Sequence, residues 1–181
     1  DKLLTNNEII KLRCQGVGVL TPEQAIANSA TGPLLRSTGV PYDVRRADPY
    51  GIYERLEFDV AVRYHGDVYD RYLLRLDEIR QSLRILQQVI RDLPDGPIQT
   101  GKAQYKPRVP AGEAYGRIEG PKGELGFYIV SNGKPNPWRY HIRSTSFINL
   151  TSLADMSRNG KIADLVIILG SIDIVLGEVD R

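Results

Sequence analysis

With 181 residues, the chain is long enough to bury one sizeable core or two small ones, and its 41% hydrophobic and 25% charged content lies in the ordinary globular range. Twenty-four basic against 22 acidic residues leave a net charge of +2, too small and too evenly spread to mark a nucleic-acid or anionic-membrane surface. A single cysteine, Cys14, excludes an internal disulfide and a multi-cysteine metal site, and no apolar run approaches the roughly 20 residues of a membrane span.

Nothing resembles a signal peptide, and Asp1 in place of an initiator methionine reads as the start of an excised or processed piece. Lys11 to Leu20 carries Gly16 and Gly18 and alternates poorly, which suggests a short strand or turn. Thr21-Pro22-Glu23-Gln24 is a helix start: Thr21 can cap, Pro22 suits the first helical position and Gln24 completes a capping box. That helix runs to about Asn28 or Ala30, ahead of Gly32-Pro33. Residues 32–49 are irregular and charged (Arg36, Asp43, Arg45, Arg46, Asp48), the pattern of a surface loop whose charges compensate one another. Tyr53 to Val62 alternates in the manner of a short strand.

The strongest signal is Asp67 to Leu93. Tyr69, Tyr72, Leu73, Leu76, Ile79, Leu83, Leu86, Ile90 and Leu93 recur at spacings of three and four, which predicts an amphipathic helix with its stripe in the core. At 1.5 Å per residue it is a rod of roughly 40 Å. Arg75, Glu78, Arg84 and Gln88 fall on the opposite face, and Pro94-Asp95-Gly96-Pro97 ends it. Residues 99–112, rich in Lys, Arg, Pro and Gly, read as a linker or mobile loop. Glu113 to Glu119 and Gly126 to Val130 are two strands joined by Gly120-Pro121-Lys122-Gly123-Glu124, a hairpin loop longer than the minimum. Trp138 to Ser144 supplies a third strand with Trp138, Tyr140 and Ile142 on one face. Ser146 to Ser157 reads as one helix ended by Asn159-Gly160, and Lys161 to Leu169 as a last helix or buried run. Strands and helices in separate runs give an α+β fold: a long amphipathic helix, shorter helices and a small antiparallel sheet, in a single unit over residues 1–181.

The chemical inventory is thin. His65 and His141 have no Ser, Cys or second His at a recognisable spacing, so both read as structural or surface histidines. Cys14 beside Arg13 reads as inert. Gly120, Gly123 and Gly126 form G-x-x-G-x-x-G in a hairpin rather than in a strand–loop–helix, which excludes a dinucleotide fingerprint. The tail is the odd feature: G-S-I-D-I-V-L-G-E-V-D-R (170–181) sets three carboxylates among aliphatic residues. An acid in such surroundings is paired or at work, because burying it alone is costly; Arg36, Arg45 and Arg46 of the middle loop are the candidate charge partners.

That tail, together with T-G-P-L-L-R-S-T-G-V (31–40), Y-D-V-R-R (42–46), Y-L-L-R-L-D-E-I-R-Q-S (72–82), G-P-K-G-E-L-G-F-Y (120–128) and S-F-I-N-L-T-S-L (146–153), resembles the C-terminal part of the quinone-site subunit of NADH:quinone oxidoreductase (respiratory complex I). The blocks cover nearly the whole chain. That family is related to the large subunit of nickel–iron hydrogenases, which ends in D-P-C-x-x-C. Here Asp173 keeps the Asp, Ile174 replaces the Pro, and Val175 and Glu178 stand where the cysteines would be, so the soft thiolate ligands of a nickel–iron centre are gone.

The resemblance implies a hydrogenase-large-subunit-like fold and one wall of a quinone-reduction site formed by Asp173, Val175, Leu176 and Glu178. It implies no catalytic residue, metal or cofactor held by this chain alone. Quinone is the expected substrate, and the iron–sulfur donor lies in a neighbouring subunit. The expected partners are that iron–sulfur small subunit, an adjacent peripheral-arm subunit and a membrane subunit. The expected location is peripheral, at the cytoplasmic face of the inner (plasma) membrane, within a proton-translocating complex. The alternatives are a non-catalytic docking scaffold, or the paralogous subunit of an F420H2- or ferredoxin-linked complex.

Overall fold

The long helix organises the molecule. In a computed structural model, which describes residues 4–99, 101–102 and 109–180, α1 (Glu8–Cys14), α2 (Pro22–Ala27), α3 (Pro33–Arg36) and α4 (Val44–Ala47) precede α5 (Val68–Arg91). Strands β1 (Gly112–Gly120), β2 (Gly123–Ser131) and β3 (Arg139–Arg143) follow, then α6 (Thr145–Leu150), α7 (Leu153–Ser157), α8 (Ile162–Ile172) and α9 (Leu176–Val179). The sheet is antiparallel in the order β1-β2-β3. The architecture is therefore α+β, with several short helices gathered on one long one. No helix among the described residues is long and apolar enough to cross a membrane.

Local chemistry explains the elements that sequence reading placed correctly. The Thr21 hydroxyl accepts from Gln24 N–H while the Gln24 side chain accepts from Thr21 N–H, the expected reciprocal cap of α2. Asp67 caps α5 by accepting from Asp70 N–H at 2.7 Å. The core lies where α5, α2, α3 and α8 meet, around Leu20, Leu34, Val68, Met156 and Ile168. Arg71 runs through its centre, fully buried, and donates to Gly66 O, Gly18 O and Ser171 Oγ at 2.7–2.9 Å. Burial pulls its pKa down to about 10 against the opposing attraction of Asp67, so it stays charged at neutral pH.

Several expectations are corrected. Of residues 11–20, expected to be a short strand or turn, 11–14 complete helix α1 and 15–18 form the turn; Asn7 caps α1 by accepting from Ile9 and Ile10 N–H. Residues 53–62 form no strand; after a 3-10 turn (Tyr53–Arg55) the chain has no regular secondary structure through residue 62. Its amides at Glu57 and Asp59 donate to the Gln88 and Gln81 side chains of α5, which take the place of a neighbouring strand. The 120–124 connection is tighter than expected, because Gly120 pairs with Gly123 and leaves Pro121-Lys122 as a two-residue turn. The helix expected over 146–157 is broken at Thr151–Ser152 into α6 and α7, and α8 extends to Ile172. Of the expected 99–112 linker, residues 100 and 103–108 lie outside the described residues, and Gly112 already belongs to β1.

The stripe on α5 is only half core. Tyr69, Tyr72 and Leu73 pack inward, but Ile79, Leu83, Leu86, Ile90 and Leu93 are exposed, Ile90 by 73%. Among the described residues the far half of the helix is held from one side, by Ile85 and Val89 against Leu56 and Phe58. Conversely Arg75 and Glu78, expected to face solvent, are half-buried. The middle loop is also not a surface loop, since Arg36, Asp43 and Val44 are buried.

Candidate functional site

Two cavities meet at Arg75 and Asp173. The first, about 390 Å³, is lined by Arg36, Arg45, Arg75, Glu78, Ser82, Glu119 and Asp173 together with Ile79, Gly120 and Pro121. The second, about 690 Å³, lies between α1, α5 and α8 and is lined more by apolar groups, including Tyr72, Val166 and Ile167 beside Arg75 and Asp173.

Asp173 owes its place to where α8 stops. It is the C-cap of that helix at φ 61° and ψ 51°, in the left-handed region that Asp tolerates better than most residues with a Cβ. Its carboxylate is exposed and pairs with Lys122 Nζ at 3.3 Å. Lys122 in turn is delivered by the hairpin turn, which presses against the 31–33 segment so closely that a Cβ on Gly32 (φ +69°) would stand 2.2 Å from Lys122 O. Buried Asn149 joins the pieces: its Nδ2 donates to Thr31 O and Lys122 O, and its Oδ1 accepts from Thr31 N–H. The motifs T-G-P, G-P-K-G and F-I-N-L thus build one joint beneath Lys122.

Arg36, 2% exposed, is the hub of the polar cavity. It donates to Glu78 at 2.7 and 2.9 Å, to Glu119 at 2.8 Å and to Tyr42 O at 2.9 Å, with Asp43 at 3.8 Å. Arg45 holds Asp43 bidentately at 2.6 and 3.0 Å. Burial holds the Glu119 carboxyl above its usual range; Arg36 opposes this and Asp43 adds to it. For Asp43 burial pushes the same way, but Arg45 and Arg36 outweigh it and its pKa is lowered. Arg46 lies apart, donating to Phe58 O and stacking on the Phe58 ring.

Of the expected site residues, Asp173, Arg36 and Arg45 therefore share a cavity, yet the two arginines are bonded to other acids and Asp173 takes Lys122. Val175 and Leu176 are exposed just beyond. Glu178 turns away and caps α6. Its carboxylate accepts from Thr145 N–H (2.7 Å), Ser146 N–H (3.1 Å), Ser146 Oγ (2.6 Å) and Ser144 Oγ (3.1 Å). Burial alone would raise its pKa, but these hydrogen bonds, those of Ser146 foremost, hold it below the ordinary value. Sequence reading missed Arg75, Glu78 and Glu119 as cavity residues and Lys122 as the partner of Asp173. The Y-L-L-R-L-D-E and G-P-K-G motifs contained three of them, and the amphipathic pattern assigned Arg75 and Glu78 to the wrong environment.

His65 is exposed and its Nδ1 lies 3.0 Å from Asp70; His141 is exposed on β3. Burial raises the Cys14 thiol pKa, and Asp67 reinforces it, which makes the sulfur a poor nucleophile or ligand. Among the described residues, no group of three His, Cys, Asp or Glu is placed to hold a metal ion.

The family model described as respiratory-chain NADH dehydrogenase, 49 Kd subunit, matches residues 1–108 and 101–181. The chain belongs to this family. Similar proteins include a D-type subunit of the NADH-quinone oxidoreductase of Roseiflexus sp. (strain RS-1), 57% identical over 188 residues and covering 100% of this chain and 50% of the relative. The D-type subunit of Dehalococcoides mccartyi (strain ATCC BAA-2266 / KCTC 15142 / 195) is 55% identical over 181 residues, covering 100% of this chain and 49% of the relative. One from Herpetosiphon aurantiacus is 56% identical over 182 residues, with coverage of 99% and 49%. The chain spans about half the length of the curated 49 kDa-type relatives it matches.

Proposed function

We propose that this chain forms one wall of the quinone-reduction site in the peripheral arm of a proton-translocating NADH:quinone oxidoreductase. The observation that carries the reading is the position of Asp173, at the seam between a polar and a more apolar cavity and paired with Lys122. A quinone has the same division: a headgroup whose carbonyls take protons and hydrogen bonds, and an apolar tail. Asp173 and Lys122 would meet the headgroup, while Val175 and Leu176 would supply apolar surface beside it. Glu178 anchors the tail segment on α6.

Electrons have to come from elsewhere. One buried cysteine with a raised pKa cannot hold an iron–sulfur cluster, so the donor belongs to a neighbouring small subunit. The remaining partners in this reading are an adjacent peripheral-arm subunit and a membrane subunit at the cytoplasmic face. The isolated chain, holding one wall and no donor, neither reduces quinone nor binds metal.

The test is Val175→Met and Asp173→Asn in the intact complex. Altered quinone KM or inhibitor sensitivity with normal assembly supports the wall. Lost assembly would instead favour a docking scaffold, and wild-type kinetics in both variants would remove the tail from the quinone site.

A further inference from the structure

Arg75 is the residue besides Asp173 that lines both cavities, and its hydrogen bonds are unusual. Among the described residues its guanidinium donates to backbone carbonyls, Ser171 O at 2.7 Å and Arg71 O at 3.2 Å, rather than to a carboxylate. Ser171 O belongs to the last turn of α8, where carbonyls have no partner inside the helix and where the helix dipole favours a cation. One turn earlier on α5, Arg71 Nε donates to Ser171 Oγ at 2.9 Å, and that hydroxyl donates on to Ile168 O at 2.6 Å. Two guanidiniums on successive turns of α5 therefore grip the backbone and the side chain of one residue.

That residue stands two positions before Asp173. The helix must stop there for Asp173 to enter its left-handed conformation, and a left-handed residue with a Cβ persists only when its surroundings hold it. Arg71 is buried inside the core, but Arg75 reaches the cavity junction. Burial pulls the Arg75 pKa below its ordinary value, and Asp173 is the strongest charge opposing that shift.

We propose that Arg75 is the positioning residue of the quinone wall: by holding the last turn of α8 it sets the Asp173 carboxylate at the junction of the two cavities. This rests on the reading of Asp173 as a headgroup residue. Arg75 acts through Asp173, so it governs how well the headgroup is bound more than the rate of reduction once bound.

The experiment compares Arg75→Gln, Arg75→Lys, Asp173→Asn and the Arg75→Gln/Asp173→Asn double variant in the intact complex with the full-length subunit. Turnover is measured against a short-chain benzoquinone after quantifying assembled complex. Arg75→Gln is expected to raise KM roughly 3- to 10-fold, the size of one ordinary hydrogen bond, with a smaller change in kcat. Arg75→Lys, which keeps a charge and a donor, brings KM back within about twofold of wild type, on the same scale. The double variant is no worse than Asp173→Asn alone, as expected of two residues acting in series. Wild-type KM in Arg75→Gln, additive effects in the double variant, or failure of both Arg75 variants to assemble would each overturn the proposal. If Asp173→Asn itself leaves kinetics unchanged, the quinone-wall reading fails; if only Arg75→Gln is without effect, the positioning role alone fails.

Discussion

Replacing Arg36 with Met removes the hub of the polar cavity while keeping most of its buried volume. Glu78, Glu119 and Asp43 all lie within 3.8 Å of the Arg36 guanidinium, and Glu119 and Asp43 are themselves buried. Arg45 remains to hold Asp43, and Glu119 retains the Val44 N–H at 3.2 Å but loses its charged donor. Breaking a buried pair from one side typically costs about 3–5 kcal/mol, a large part of the roughly 5–15 kcal/mol that holds a domain together. The cost carries a pH signature. Glu119 already sits above its usual pKa because of burial, so its protonated form is the better tolerated one and Arg36→Met displaces it further upward. A carboxyl with a raised folded pKa contributes stability below its unfolded pKa and loses it as pH rises through the folded value. The deficit of Arg36→Met should therefore be smaller near pH 5 than at pH 7.5. Urea unfolding of both proteins at the two pH values measures it, and adding Glu119→Gln should recover part of the loss at pH 7.5. A deficit below about 1 kcal/mol, or one that is equal at both pH values, would refute the reasoning.

Glu178→Ala should cost about 1–2 kcal/mol through loss of the α6 cap, and Glu178→Gln less. Because the folded pKa is depressed, that contribution is present above the ordinary Glu value and is lost as pH falls through the folded one, so wild type and Glu178→Gln should converge in acid unfolding. Gly32→Ala should destabilise by at least about 2 kcal/mol, left-handed strain plus displacement of the hairpin turn, whereas Gly51→Ala, also left-handed but with open space around it, should show the strain alone; paired thermal melts separate the two. Leu83→Glu with Ile90→Glu should leave stability in urea unfolding within about 1 kcal/mol of wild type and helix content by circular dichroism unchanged, since both side chains point to solvent.

What the sequence revealed was what local chemistry decides. The α2 capping box, the start of the long helix at Asp67 and the existence of the hairpin at Gly120–Gly123 each need only neighbours a few residues away. The α1 helix carries a similar signal in Asn7-Glu8, a cap followed by a first-turn acid, which the glycines downstream obscure. The 53–62 segment misleads for a different reason. Its alternation is real, since Leu56 and Phe58 are buried, but its backbone is satisfied by Gln81 and Gln88 side chains on a helix, and no strand pattern reports that. Periodicity on α5 correctly gives a helix, yet a repeat of three and four cannot say how much of the stripe this chain itself covers. The site was legible in part. Asp173 stands out as an acid among aliphatics, whereas Glu119 and Arg75 reach the cavity, and Lys122 reaches Asp173, through contacts between residues far apart in the chain, which only the fold creates.

The half-covered state of α5 also fixes a gradient of motion along one continuous helix. Amides near Leu74, beneath α8 and beside buried Arg71, can exchange with solvent deuterium only when the core opens. Those from Leu86 to Arg91 need no more than fraying of a helix end held on one side by Ile85 and Val89. A single rod is thus expected to run from slowly exchanging amides to readily exchanging ones, with Arg75 near the slow end.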